Sequence, residues 1–232
     1  MKVLIIDDEA DVVEALSLAF NIQWQNWEVL TAPDGETGLA TFNHEAPDVV
    51  VLDISMPGID GYEVLRRIRE VSDVPVLMLT VKNEEMDKVK ALEFGADDYI
   101  TKPFGTLELM ARIRAILRRA ETPSPGTPGP SFVCGDLTIN YSTREVTSDG
   151  KPVKLTPIEY NLLMHLARNA GRVMPHSALI TKVWGHDSGA DLISLKVYVR
   201  RVRQKIEKDA GNPAYILTER GIGYRFTKVP VT

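Results

Sequence analysis

Short, unbroken apolar runs that stop on a polar group punctuate the first half of this 232-residue chain. VLII runs into Asp7 and Asp8, VVVL into Asp53, VLML into Thr80, and DDYIT into Lys102. Strands buried on both faces have near-continuous apolar sequence, the pattern of parallel sheets covered by helices. Candidate strands at 2–6, 28–31, 48–53, 75–80 and 97–100 alternate with amphipathic stretches at about 9–20, 35–44, 61–70, 84–93 and 105–119. Five such units predict an α/β fold with a doubly wound, five-stranded parallel sheet. Ligands of open sheets bind in the crevice at the carboxyl ends of the strands. The carboxylates, the Thr80 hydroxyl and the Lys102 ammonium are therefore expected at one edge.

The pattern ends at ETPSPGTPGPS, residues 121–131, where four prolines and two glycines leave almost nothing to bury. Such a composition makes an extended, partly stiff linker. Charge changes sign at the same place. Residues 1–121 carry 23 Asp and Glu against 12 Lys and Arg, whereas residues 122–232 carry 9 against 15. Domains are thus expected at 1–120 and 132–232, with the basic one a nucleic-acid candidate. Cys134 is the only cysteine, which excludes an internal disulfide and fits a reducing, cytoplasmic setting. No apolar stretch reaches the ~20 residues of a membrane helix. The four apolar residues after Lys2 are too few for a secretory signal.

After the linker, short alternating stretches (132–141, 144–147, 152–155) precede three helical segments and a hairpin around GIGYRF, an α+β arrangement. The first helix opens with Thr156, Pro157 and Glu159 in the spacing of a capping box. The second covers about 176–183. In the third, from Asp191 to about Lys208, Leu192, Leu195, Val199, Val202 and Ile206 form an apolar stripe. Advancing ~100° per residue places Ile193, Ser194, Val197, Arg200, Arg201 and Gln204 opposite it. Lys196 and Arg203 flank one side, Tyr198 and Lys205 the other. A basic outward face suits the major groove of DNA, and Arg220 at a glycine-rich hairpin tip suits a narrow minor groove.

At the first domain's strand ends, Asp7, Asp8 and Asp53 would crowd three carboxylates, which raise one another's pKa. Mg²⁺, held by carboxylates and phosphate oxygens, relieves this. With Lys102 and Thr80 beside them, these groups describe a carboxylate nucleophile supported by metal and ammonium in phosphoryl transfer. Each residue alone has a plainer structural reading, as helix cap, loop start or surface lysine. Their recurrence at successive strand ends favours the shared site.

At these residues the first 119 positions resemble the receiver domain of two-component response regulators: Asp7-Asp8, Asp53 in LDISMPGIDG, Thr80, and Lys102 in DDYITKPF. The resemblance implies that Asp53 accepts a phosphoryl group from the phosphohistidine of a sensor histidine kinase. It implies a Mg²⁺ site at Asp8, Asp53 and the main-chain carbonyl of Ser55, with Asp7 acting through water. Lys102, ahead of a cis peptide to Pro103, would pair with the phosphoryl oxygens. Thr80 would swing toward the phosphate and Tyr99 would turn inward with it. Lys88, Asp97, Asp98, Glu108, Arg112 and Arg114 match the homodimer face of the OmpR/PhoB subfamily.

The motifs LTPIEYNLL, VYVRRVRQKIE and RGIGYRF resemble the winged helix-turn-helix domain of the same subfamily. This implies a double-stranded DNA partner with tandem half-sites, and RNA polymerase as a partner through 185–190. Ile193 and Lys196 depart from the family's usual residues, and an outward isoleucine there suits a thymine methyl. The expected function is that of a transcriptional response regulator. A phosphorylation-independent regulator is the alternative. An aspartate-nucleophile phosphatase is disfavoured because Ser55 stands where such enzymes carry a second acid.

Overall fold

The computed structural model describes residues 1–80, 85–120, 131–185 and 190–229, without side chains at 85–88 and 118–120. The chain forms two compact units, Met1–Arg118 and Arg119–Thr232. Among the described residues, no helix is long and apolar enough to cross a membrane.

The first unit runs β1 (Lys2–Ile6), α1 (Ala10–Gln23), β2 (Glu28–Ala32), α2 (Gly35–Glu45), β3 (Val49–Asp53), α3 (Gly61–Val71), β4 (Val76–Thr80), α4 (Glu85–Phe94), β5 (Asp98–Thr101) and α5 (Thr106–Ala120). The five strands are parallel in the order β2-β1-β3-β4-β5. Every residue of β3 and β4 is buried, which is why their sequences are apolar without alternation. Asp34 and Asp60 start α2 and α3 by accepting hydrogen bonds from Thr37 N and Glu63 N, satisfying first-turn amides. α1 continues to Gln23, a turn beyond expectation, and past its end Trp24 packs between the rings of Phe20 and Trp27.

α3 begins hard against the end of β3. A Cβ on Gly61 would lie 2.1 Å from the Asp53 carbonyl oxygen, so only glycine lets the helix start there. That close approach fixes the loop between Asp53 and α3, directly beside the carboxylate edge.

The second unit has a four-stranded antiparallel sheet of β6 (Ser131–Cys134), β7 (Leu137–Asn140), β8 (Val146–Ser148) and β9 (Lys151–Pro152). α6 (Pro157–Arg168), β10 (Val173–Pro175), α7 (His176–Trp184) and α8 (Leu192–Ile206) follow, then the hairpin β11 (Ile216–Glu219) and β12 (Gly223–Phe226). β10 joins β12 and β11 in a three-stranded sheet. No strand was expected at 173–175, because three residues carry no periodicity. Its pairing comes from tertiary approach, close enough that a Cβ on Gly223 would sit 1.9 Å from Met174 O. Trp184 and Tyr198 meet edge to face at 5.4 Å and anchor α7 to α8.

Candidate functional site: a carboxylate edge and the outward face of α8

β1 leads into Asp7, β3 ends on Asp53, β4 ends on Thr80, and β5 leads into Lys102. The parallel register Ile6↔Leu52, Asp53↔Leu79 and Thr80↔Thr101 sets these ends side by side. The crevice opens where the strand order reverses around β1 and β3, as expected for a doubly wound sheet.

Lys102 organises the edge. Its Nζ lies 2.8 Å from Asp53 Oδ1, 2.8 Å from Asp7 Oδ2 and 2.8 Å from Glu9 Oε1. The side chains of Lys102, Asp53 and Asp7 are only 9%, 3% and 0% exposed, so the pairs sit largely out of water. Asp53 Oδ2 accepts from Ser55 N at 2.6 Å, and Asp7 Oδ1 accepts from Glu9 N at 2.9 Å. Lys102 N donates to Thr80 O at 2.6 Å, and the Lys102–Pro103 peptide is cis. Thr80 and Tyr99 are buried.

Burial pushes the Asp7 carboxyl above its ordinary range, against the pull of Lys102 and the Glu9 amide. Burial also disfavours the Lys102 ammonium, but its hydrogen bonds to Asp53, Asp7 and Glu9 outweigh that and raise its pKa. Lys102 is therefore a permanent cation beside the Asp53 oxygen. An ammonium so placed can neutralise charge that builds on a group transferred to that oxygen.

Among the described residues, no three His, Cys, Asp or Glu side chains are gathered so as to hold a metal ion. The Lys102 ammonium stands among Asp7, Asp53 and Glu9, while Asp8 is exposed. The available donors are nonetheless all hard oxygens, the chemistry that Mg²⁺ takes. Glu9 was not among the expected residues. Its signal was the unbroken acidic run Asp7-Asp8-Glu9.

The proposed dimer-face residues are partly engaged within the chain. Arg112 Nη1 reaches both oxygens of Asp98 at 3.2 Å, and Arg112 Nη2 reaches Glu108 at 2.8 Å. Asp97 lies inward instead of on the surface: it is 2% exposed and accepts from Arg69 at 2.7 Å and from Val76 N at 2.9 Å. A carboxylate this buried requires such partners. Glu108 and Arg114 are exposed. The Lys88 side chain lies outside the described residues, as do residues 186–189 of the segment 185–190.

On α8 the buried face is wider than a single stripe, because α6 and α7 both pack against the helix. Ser194, Val197 and Tyr198, expected outward or on the flank, are buried, whereas Leu192, expected in the core, is 38% exposed. Ser194 turns back to the N-cap, donating N and Oγ to Asp191 Oδ1 at 2.9 and 3.1 Å. Lys196, Arg200 and Gln204 are exposed, and Ile193 is half-buried beside them.

Arg201 and Arg203 have structural partners. Arg201 Nη2 and Lys205 Nζ reach the two oxygens of fully buried Glu159 at 2.8 and 2.6 Å. Glu159 also accepts from Thr156 N at 2.8 Å, as the capping spacing implied. Arg203 donates to Ile216 O at 3.0 Å and to Thr218 Oγ1 at 2.9 Å, tying α8 to the hairpin. Arg220 is exposed at the hairpin tip, where Arg225 pairs with Glu219 at 2.8 Å and braces the two strands.

Residues 3–114 match the response regulator receiver domain family, and residues 150–226 match the C-terminal domain of transcriptional regulatory proteins. The sensory transduction protein RegX3 of Mycolicibacterium smegmatis is 41% identical over 225 residues, covering 97% of this chain and 98% of that protein. The response regulator DrrB of Thermotoga maritima, an OmpR/PhoB homologue, is 33% identical, with 97% and 98% of the two chains covered and a TM-score of 0.51. A RitR mutant shares the fold at 24% identity and a TM-score of 0.74, over 97% of this chain and 98% of that one. Both domain matches fall in order on the two units, and the likeness to RegX3 runs nearly end to end. The chain therefore belongs to the OmpR/PhoB family of transcriptional response regulators, with a phosphoacceptor receiver domain followed by a winged helix-turn-helix DNA-binding domain.

Proposed function

We propose that Asp53 accepts the phosphoryl group of a sensor histidine kinase's phosphohistidine, and that this controls how the second domain engages DNA. The observation that carries the reading is the Lys102 ammonium, held 2.8 Å from Asp53 Oδ1 in a nearly dry site. An Asp53 oxygen attacks phosphorus, the P–N bond breaks, and the imidazole leaves with the electron pair. Lys102 then balances the new phosphoryl charge, and the Thr80 hydroxyl donates to it.

Asp8, Asp53 and the Ser55 carbonyl would hold Mg²⁺, with Asp7 acting through water. When bound, the cation supplies charge neutralisation for the phosphoryl oxygens. Tyr99 follows Thr80 in the switch. Ser55, in place of a second acid, favours a stable phosphoaspartate over turnover.

We assign 1–120 to the receiver, 121–131 to a linker and 132–232 to the DNA-binding domain. Phosphorylation favours a receiver homodimer across the α4–β5–α5 face, for which Asp98, Glu108 and Arg112 re-pair between copies. Tethering then raises the local concentration of the second DNA-binding domain, and tandem half-sites lie about 10 bp apart. Lys196, Arg200, Gln204 and Arg220 contact DNA, and RNA polymerase is a partner through 185–190.

Labelling of the full chain by a small phosphodonor with Mg²⁺, in wild type and Asp53→Asn, tests the acceptor. Label is expected on wild type alone. Equal labelling of both removes Asp53 from the role, and DNA affinity that does not change on phosphorylation favours the phosphorylation-independent alternative.

A further inference from the structure

The observed outward face of α8 changes what its first turn offers to a ligand. Leu192 is 38% exposed and Ile193 is half-buried. At ~100° per residue Ile193 falls within the sector that holds Lys196, Arg200 and Gln204, and Leu192 lies about 40° beyond its Lys196 edge. Ser194, the hydrogen-bonding side chain of that turn, is buried and directed to Asp191 Oδ1. The first turn therefore meets a ligand through hydrocarbon, and the next turns through cations and an amide.

In a helix-turn-helix domain the N-terminal residues of the recognition helix reach the base edges. The apolar group presented in the major groove is the C5-methyl of thymine; the other bases offer donors and acceptors that an aliphatic side chain leaves unsatisfied. Two aliphatic residues in succession can cover two methyls on neighbouring base pairs, which stack about 3.4 Å apart. Lys196 and Arg200, further along the same sector, suit guanine O6 and N7.

We propose that Leu192 and Ile193 form a methyl-reading patch that specifies thymine at two neighbouring base pairs of each half-site, beside guanines read by Lys196 and Arg200. The inference rests on the reading that α8 enters the major groove. It adds a sequence preference that the basic residues by themselves do not impose.

The test starts from duplexes selected from random DNA by the phosphorylated full chain. Each thymine of the selected half-site is replaced in turn by deoxyuridine, which removes only the methyl. Two neighbouring substitutions should each weaken wild-type binding about fourfold, the gain from burying one methyl. Leu192→Ala and Ile193→Ala should each erase the penalty at one of these positions while keeping the others. A flat deoxyuridine scan with wild-type protein overturns the proposal even though selection succeeded. Penalties that persist in both variants also overturn it, because another residue then reads the methyls. Failure to enrich any sequence removes the DNA-reading assignment of α8, and this inference with it.

Discussion

Glu159→Ala should unfasten α8. Glu159 is fully buried, and its two oxygens are taken by Arg201, Lys205 and the Thr156 amide. Removing the carboxylate leaves Arg201, whose side chain is 11% exposed, with a lost partner in a nearly dry setting. Breaking one side of a buried pair costs about 3–5 kcal/mol, and an orphaned buried amide costs about 1–3 kcal/mol. These overlap, and Lys205, a third exposed, can turn to water. A net loss of about 4 kcal/mol is expected.

At roughly 4–8 °C per kcal/mol for a domain of about 100 residues, the melting temperature should fall by about 15–30 °C. The assay is thermal melting read by Trp184 fluorescence, with Trp24 and Trp27 replaced by phenylalanine so that the second domain reports alone. Glu159→Gln keeps an acceptor for Thr156 N and should lose less. A drop below about 4 °C for Glu159→Ala would refute the view that this carboxylate holds α8 to α6.

Two further perturbations probe each domain. Lys102→Met leaves Asp7 and Asp53 without their cation, so the receiver should lose about 3–5 kcal/mol. Added Mg²⁺ should restore more of its melting temperature than it adds to wild type; equal shifts would argue against a shared carboxylate site. In the second domain, burial, with the charges of Lys182 and Arg168, holds His165 below its ordinary 6.5. The unfolded chain then binds the proton more readily, so stability is full above 6.5 and falls as pH drops from 6.5 toward the folded pKa. His165→Gln should flatten that acid limb in melts taken between about pH 7 and 5, and an unchanged limb would assign it to other groups.

The sequence by itself determined the order of the first domain's elements and the strand-end residues Asp7, Asp53, Thr80 and Lys102. Runs buried on both faces cannot alternate, so VVVLD and VLMLT declare their strands, and their last residues declare the edge. The proline-rich run at 121–131 and the charge asymmetry likewise announce a change of domain, because proline-rich sequence has little to bury. Only the tertiary structure decided which charges are spent within the fold. Arg201 and Arg203 look alike in sequence, yet Glu159 takes the first and Ile216 O the second.

The same holds for Asp97, drawn inward by Arg69, and for Glu9, brought to Lys102 across 93 residues. Helical periodicity assigns one buried stripe, but packing against two helices widens it. That turned Val197 and Tyr198 inward and left Leu192 facing out. Periodicity records the local backbone, whereas burial depends on how many neighbours arrive from elsewhere in the chain.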